Sequence, residues 1–173
     1  DGLVQQAVQM ARVLRDQLLI DSPAAMEDIN SPAWVRTAEA CALTAGVMGG
    51  LGGARCRTVA AHAVHNGLTQ LPACHDALHG EKVGFGILVQ LRLEERMGGN
   101  RLAAQAHRQL LPLLRQLGLP VCLDDLGLAQ ASLSDLQQVC SFACRDGSDL
   151  HHLPFSVTPG ALLEALVGAA EPS

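Results

Sequence analysis

Apolar residues recur at helical spacing along most of the chain. Val4, Ala7, Val8, Ala11, Leu14, Leu18 and Leu19 share one face of a helix predicted over residues 3–20, which Asp21-Ser22-Pro23 should end. Ser31-Pro32 reads as an N-cap followed by proline at the first helical position, opening a helix over 32–48. The run Gly49-Gly50-Leu51-Gly52-Gly53 should break it. A third helix is predicted over 54–69, then a loop with Pro72, then a long helix over 79–97 closed by Gly98-Gly99-Asn100. The next spans 101–117 with a kink or break at Pro112, and Gly118-Leu119-Pro120 stops it. Ser132 or Ser134 caps a helix reaching about Arg145, and Thr158-Pro159 starts the last. Nowhere does apolar-polar alternation run long enough for a sheet, and there is no internal repeat. The expected architecture is one all-α domain, a helical bundle over residues 1–173.

Composition narrows the functional classes. With 173 residues, 49% of them hydrophobic, the chain can bury a real core. Its net charge of −5 argues against a nucleic-acid binder, and the absence of Tyr removes the usual stacking platform. Six cysteines, Cys41, Cys56, Cys74, Cys122, Cys140 and Cys144, contain no Cys-x-x-Cys pair and read as reduced thiols of a cytoplasmic protein. No apolar run reaches the ~18 residues that span a bilayer, and no signal peptide is visible. The first residue is Asp1, which suggests a processed chain or one cut from something longer.

The chemistry gathers in one segment. Four of seven histidines, His62, His65, His75 and His79, fall within residues 60–86. His62 and His65 are three apart and share a helix face, with Ala60, Ala61 and Ala63 allowing close approach by a partner. A helix end, a loop and a helix start can bring His62 and His79 into one pocket. Neutral imidazole suits zinc and also iron, but hydrogen-bonded histidines at helix ends fit the spacing too. His75 and His107 read as surface residues, and His151-His152 as a polar loop. The Gly49–Gly53 run lacks both the Gly-x-Gly-x-x-Gly and Gly-Lys-Ser/Thr signatures, so it reads as a break and not a phosphate loop.

The segment His62-x-x-His65-Asn66-Gly67-Leu68-Thr69, Pro72, and His79-Gly80-Glu81-Lys82-Val83-x-Phe85-Gly86 resembles the metal-site segment of glycerol dehydrogenases, within the iron-containing alcohol dehydrogenase superfamily. The resemblance extends more weakly over the whole chain, through Gly118-Leu119-Pro120 and Leu153-Pro154…Thr158-Pro159. It implies the helical C-terminal domain of a two-domain enzyme whose N-terminal α/β domain binds NAD. It implies His62 and His79 as ligands of zinc (or iron), and His65 as a residue of the substrate pocket. It also implies a polyol or alcohol substrate, hydride transfer to NAD with the metal as Lewis acid, and homo-oligomers of unspecified size.

Two departures matter. The nucleotide-binding domain is absent from the chain, so it carries no cofactor-binding residue for NAD. The family's third metal ligand, an aspartate, falls ahead of Asp1. Residues 49–57 are also longer than is typical, which points to a different substrate pocket. The expected function is therefore the metal-binding half of an NAD-dependent dehydrogenase, inactive in isolation and exposing an apolar wall for self-association. The alternative is a stand-alone, non-catalytic helical module of the same descent, used for protein binding or assembly.

Overall fold

The computed structural model describes residues 2–53 and 58–171. The predicted helix start at Ala54, part of the long 49–57 segment and Cys56 lie outside the described residues. The chain divides into two compact units between residues 58 and 59. Among the described residues every regular element is a helix, as the apolar spacing predicts.

The first unit contains α1 (Gly2–Glu27), α2 (Pro32–Glu39), a π-helical turn (Ala40–Thr44) and α3 (Ala45–Gly52). Three boundaries depart from expectation. Helix α1 does not stop at Asp21-Ser22-Pro23 but runs to Glu27 with Pro23 inside it. The hydrogen bond lost at proline is offset by what its neighbours do. Asp21 is buried and takes a forked ion pair from Arg36 on α2, with O–N distances of 2.6 and 3.0 Å, and Ala25 is buried one turn on. The fork holds the Asp21 carboxyl below its usual pKa, the Arg36 hydrogen bond being the largest cause. The predicted 32–48 helix is split by the π turn. The glycine run does not break it at Gly49. The chain stays helical through Gly52 and stops at Gly53, whose φ of 61° favours glycine. Ser31 caps α2 as expected, its Oγ accepting from the Trp34 N–H at 3.1 Å.

The second unit contains α4 (Ala60–Leu68), α5 (His79–Arg96), α6 (Arg101–Gln116), α7 (Leu133–Ala143) and α8 (Pro159–Val167), with a short 3₁₀ turn in every connection but that from α5 to α6. Its core is aliphatic: Val64 and Leu68 of α4, Phe85, Leu88 and Val89 of α5, Val139 of α7 and Leu162 of α8 are fully buried. Helix α6 passes straight through Pro112. That residue is exposed, and so is Arg108, the residue whose carbonyl the proline leaves without an N–H donor.

Small residues let these helices touch backbone to backbone. A Cβ built on Gly86 of α5 would lie 2.5 Å from the Ala61 carbonyl oxygen of α4. One built on Gly67 of α4 would lie 2.6 Å from the Val139 carbonyl oxygen of α7. Helix α4 is therefore gripped from two sides at positions where no other residue fits without movement.

His107 corrects a sequence expectation. It is not on the surface but fully buried, and its Nε2–H donates to the Ala169 carbonyl at 2.8 Å. It belongs to the apolar face Ala103, Ala104, Leu111 and Leu114. Arg92, also buried, donates through Nε to the Gly168 carbonyl at 3.2 Å and through Nη2 to the Glu171 carbonyl. Together they pin the end of the described chain to α5 and α6.

Two predictions follow from this packing. Gly86→Ala should destabilise the chain by about 1–3 kcal/mol, the usual range for overpacking a tight contact. Gly84→Ala, where an added Cβ meets nothing within 4 Å, should stabilise it by up to about 1 kcal/mol through helix propensity. Denaturant midpoints of the two variants would check both signs. Burial pushes the His107 pKa down, so the unfolded chain binds this proton first as pH falls. The stability that neutral His107 confers is complete above about pH 6.5 and lost as pH falls below it. His107→Gln keeps a donor for Ala169 without a titratable ring. In unfolding experiments below about pH 6.5 it should flatten the dependence of stability on pH by up to ~1.4 kcal/mol per pH unit.

Candidate metal centre

All residues of the candidate site belong to the second unit. Helix α4 begins without a side-chain cap at Val59. Gln90 of α5 supplies the acceptor instead, its Oε1 taking the Ala61 N–H at 3.1 Å. Together with the Ala61–Gly86 contact, this fixes the rotation of α4 one residue before His62. His62 and His65 then lie on one face, both half-buried.

His79 is the first residue of α5 and is exposed. Its position is set by the two charged residues that follow it. The Glu81 carboxylate accepts the Leu78 N–H at 2.6 Å, closing the helix start as a capping residue. Lys82 is buried, and its Nζ donates to the Cys74 carbonyl at 2.9 Å and to the Ala77 carbonyl at 2.8 Å. A charged donor shared by two carbonyls of one loop is a strong tie in a site shielded from water. It draws the 72–78 loop onto α5 just ahead of His79.

The structure brings His62, His65 and His79 together. The rings of His62 and His79 are 5.8 Å apart between centroids and tilted by 52°. Those of His65 and His79 are 4.3 Å apart, edge to face, with His65 Nε2 and His79 Nδ1 at 3.0 Å. His75 stays outside the cluster, exposed, its Nε2 3.3 Å from the Thr69 carbonyl. His151 and His152 lie in an exposed turn. Asp149, in the same turn, is the negative charge felt most by His62.

The electrostatics favour the neutral form of His62 and His65. Burial pushes the His62 pKa down, the nearby His79 adds to that, and Asp149 opposes it. Burial is also the main cause of a lowered His65 pKa. The hydrogen bond with Asn66 opposes it, while His79, Lys82 and His62 reinforce it. Neutral imidazole is the form that ligates metal. As imidazole donors whose rings converge, His62 and His79 have the chemistry that a divalent ion takes. Among the described residues no group of three His, Cys, Asp or Glu side chains is arranged to hold one. A structural zinc site needs four protein ligands and a catalytic one usually three, so the pair suits an incomplete site.

Several contributors were not apparent from the sequence. Asn66, whose Oδ1 lies 3.0 Å from His65 Nδ1, and Gln90 carry no pattern that marks them. Glu81 was legible in principle as an acid at the third position of a predicted helix. The burial of Lys82 had no sequence signal, since an isolated lysine is ordinarily solvated.

No family model matches the sequence. An oxidoreductase of Synechocystis is 58% identical over 96% of this chain and 43% of its own length. A glycerol dehydrogenase of Pseudomonas putida is 36% identical over 95% of this chain and 44% of its own length. The crystal structure of a probable glycerol dehydrogenase from Sinorhizobium meliloti superposes with a TM-score of 0.81 at 32% identity, over 96% of this chain and 45% of that one. The chain thus spans less than half the length of the relatives it matches. In sequence and in its all-α fold, it belongs to the glycerol dehydrogenase-like oxidoreductases and corresponds to their helical C-terminal domain.

Proposed function

We propose that this chain is the metal-holding half of an NAD-dependent, divalent-metal-dependent dehydrogenase acting on an alcohol or polyol, and that it does not turn over alone. One observation carries the reading: His62 and His79, from two helices locked together at Ala61 and Gly86, converge within the fold of glycerol dehydrogenases.

His62 and His79 would hold the ion, which we take to be zinc or iron. When bound, such an ion supplies Lewis-acid polarisation of a substrate hydroxyl. The remaining work falls to the chain's own residues. The α4–α5 contact fixes the spacing of the two imidazoles. Lys82 and Glu81 fix the start of α5 and so the direction of His79. Burial keeps His62 and His65 unprotonated near neutral pH, leaving lone pairs available. The half-buried face of α4 bearing His62 and His65 forms one wall of a substrate pocket. An NAD-binding domain would provide the opposite wall and the hydride acceptor, and none of the residues described here is assigned to NAD. We further infer that the complete enzyme is a homo-oligomer and takes no nucleic acid or membrane partner. No helix among the described residues is long and apolar enough to cross a membrane.

Metal titration of the 173-residue chain tests this. Zinc or cobalt should bind weakly, because two imidazoles leave most ligand positions to water. His62→Ala or His79→Ala should abolish that binding, and His75→Ala should leave it intact. No NAD-linked oxidation of glycerol should be detected with the chain alone. Tight stoichiometric binding would contradict a two-ligand site. Binding unaffected by either substitution would remove the metal reading and leave a non-catalytic helical module as the better account.

A further inference from the structure

We propose that Asn66 and His65 form a hydrogen-bond relay that locks His79 in the Nδ1–H tautomer, so that its Nε2 lone pair is the one presented for ligation. The inference rests on the metal reading above for its purpose, but not for its geometry.

The direction of the relay follows from the donor and acceptor inventory. Asn66 Oδ1 can only accept, so the 3.0 Å contact with His65 Nδ1 places a proton on that nitrogen. A neutral imidazole protonated at Nδ1 has a bare Nε2. His65 Nε2 faces His79 Nδ1 at 3.0 Å, so His79 must donate across that contact. His79 is then protonated at Nδ1 and bare at Nε2. The order holds for neutral rings, the form an unperturbed imidazole takes at mildly alkaline pH. An imidazole side chain in water favours the opposite tautomer, with the proton on Nε2. Left to itself, His79 would therefore present the wrong nitrogen for much of the time. The relay removes that competition in advance, the usual work of the partner behind a ligating histidine.

This makes His65 and Asn66 positioning residues. Neither needs to touch metal or substrate for the effect. Asn66 is exposed and sits on the outer face of α4, so its side chain can be changed without disturbing the core.

Long-range ¹H–¹⁵N spectra of histidine-labelled, metal-free chain at mildly alkaline pH read the tautomers directly. The wild type should show His65 and His79 with protonated Nδ1 and bare Nε2. Asn66→Asp keeps the acceptor and should preserve that pattern. Asn66→Ala should move His79 toward the Nε2–H form. His65→Gln, whose amide oxygen can still accept from His79, should retain it, whereas His65→Ala should not. Zinc titrations should follow the tautomer: Asn66→Ala and His65→Ala should weaken binding by roughly 10–100-fold, and the two conservative variants should stay close to wild type. A wild-type His79 in the Nε2–H form, or a His79 tautomer indifferent to Asn66→Ala and His65→Ala, would overturn the relay. Zinc binding that ignores His79 itself while the tautomers respond as expected would support the relay and sink the metal reading instead.

Discussion

Where α4 and α5 cross, the two backbones meet without an intervening side chain. At Gly86 even a methyl group would collide with the Ala61 carbonyl oxygen. That contact sets the separation of the helices, and the Gln90–Ala61 hydrogen bond beside it sets the rotation of α4. His62 is the next residue along. A ligand pair needs its two donors placed to within a fraction of an ångström, and long side chains between the helices would leave that distance to rotamer choice. Direct backbone contact leaves it to the chain itself.

The His-Gly-Glu-Lys run divides its labour accordingly. His79 meets the His65 ring, Glu81 closes the helix that bears it, and Lys82 ties down the loop that leads to it. The consecutive residues point in different directions because a helix turns about 100° per residue. A short motif can therefore face a histidine cluster, a helix end and a buried loop at once. The same economy holds on α4, where Gly67 faces Val139 of α7 while Asn66 turns outward to His65.

Much of this was legible in the sequence. Capping residues placed the starts of α2, α7 and α8, and the apolar period found every helix of the second unit. What escaped was decided by tertiary contacts. Pro23 looked like a stop because local propensity cannot see Arg36 reaching Asp21 from another helix. Pro112 looked like a kink because its own backbone cost is visible in sequence, whereas the exposure of Arg108 beside it is not. His107 was misplaced by reading it alone. Counting from Ala103 to Leu111 puts it on the buried face, where the Ala169 carbonyl satisfies its ring. At the site, the family resemblance singled out His62 and His79, and their rings do converge. The His65–His79 hydrogen bond depends on side-chain direction, which spacing does not carry.

Lys82 has one more consequence. It is the only lysine in the sequence, and it is buried with both of its carbonyl partners in place. Every other basic side chain that stays charged at neutral pH is a guanidinium. The folded surface of the described residues therefore offers amine-directed acylating reagents and conjugating enzymes no side-chain amine. Only opening of the loop ahead of α5 uncovers one. Acylation of Lys82 then becomes a clock for that opening, and its rate reports how long the histidine pair stays assembled.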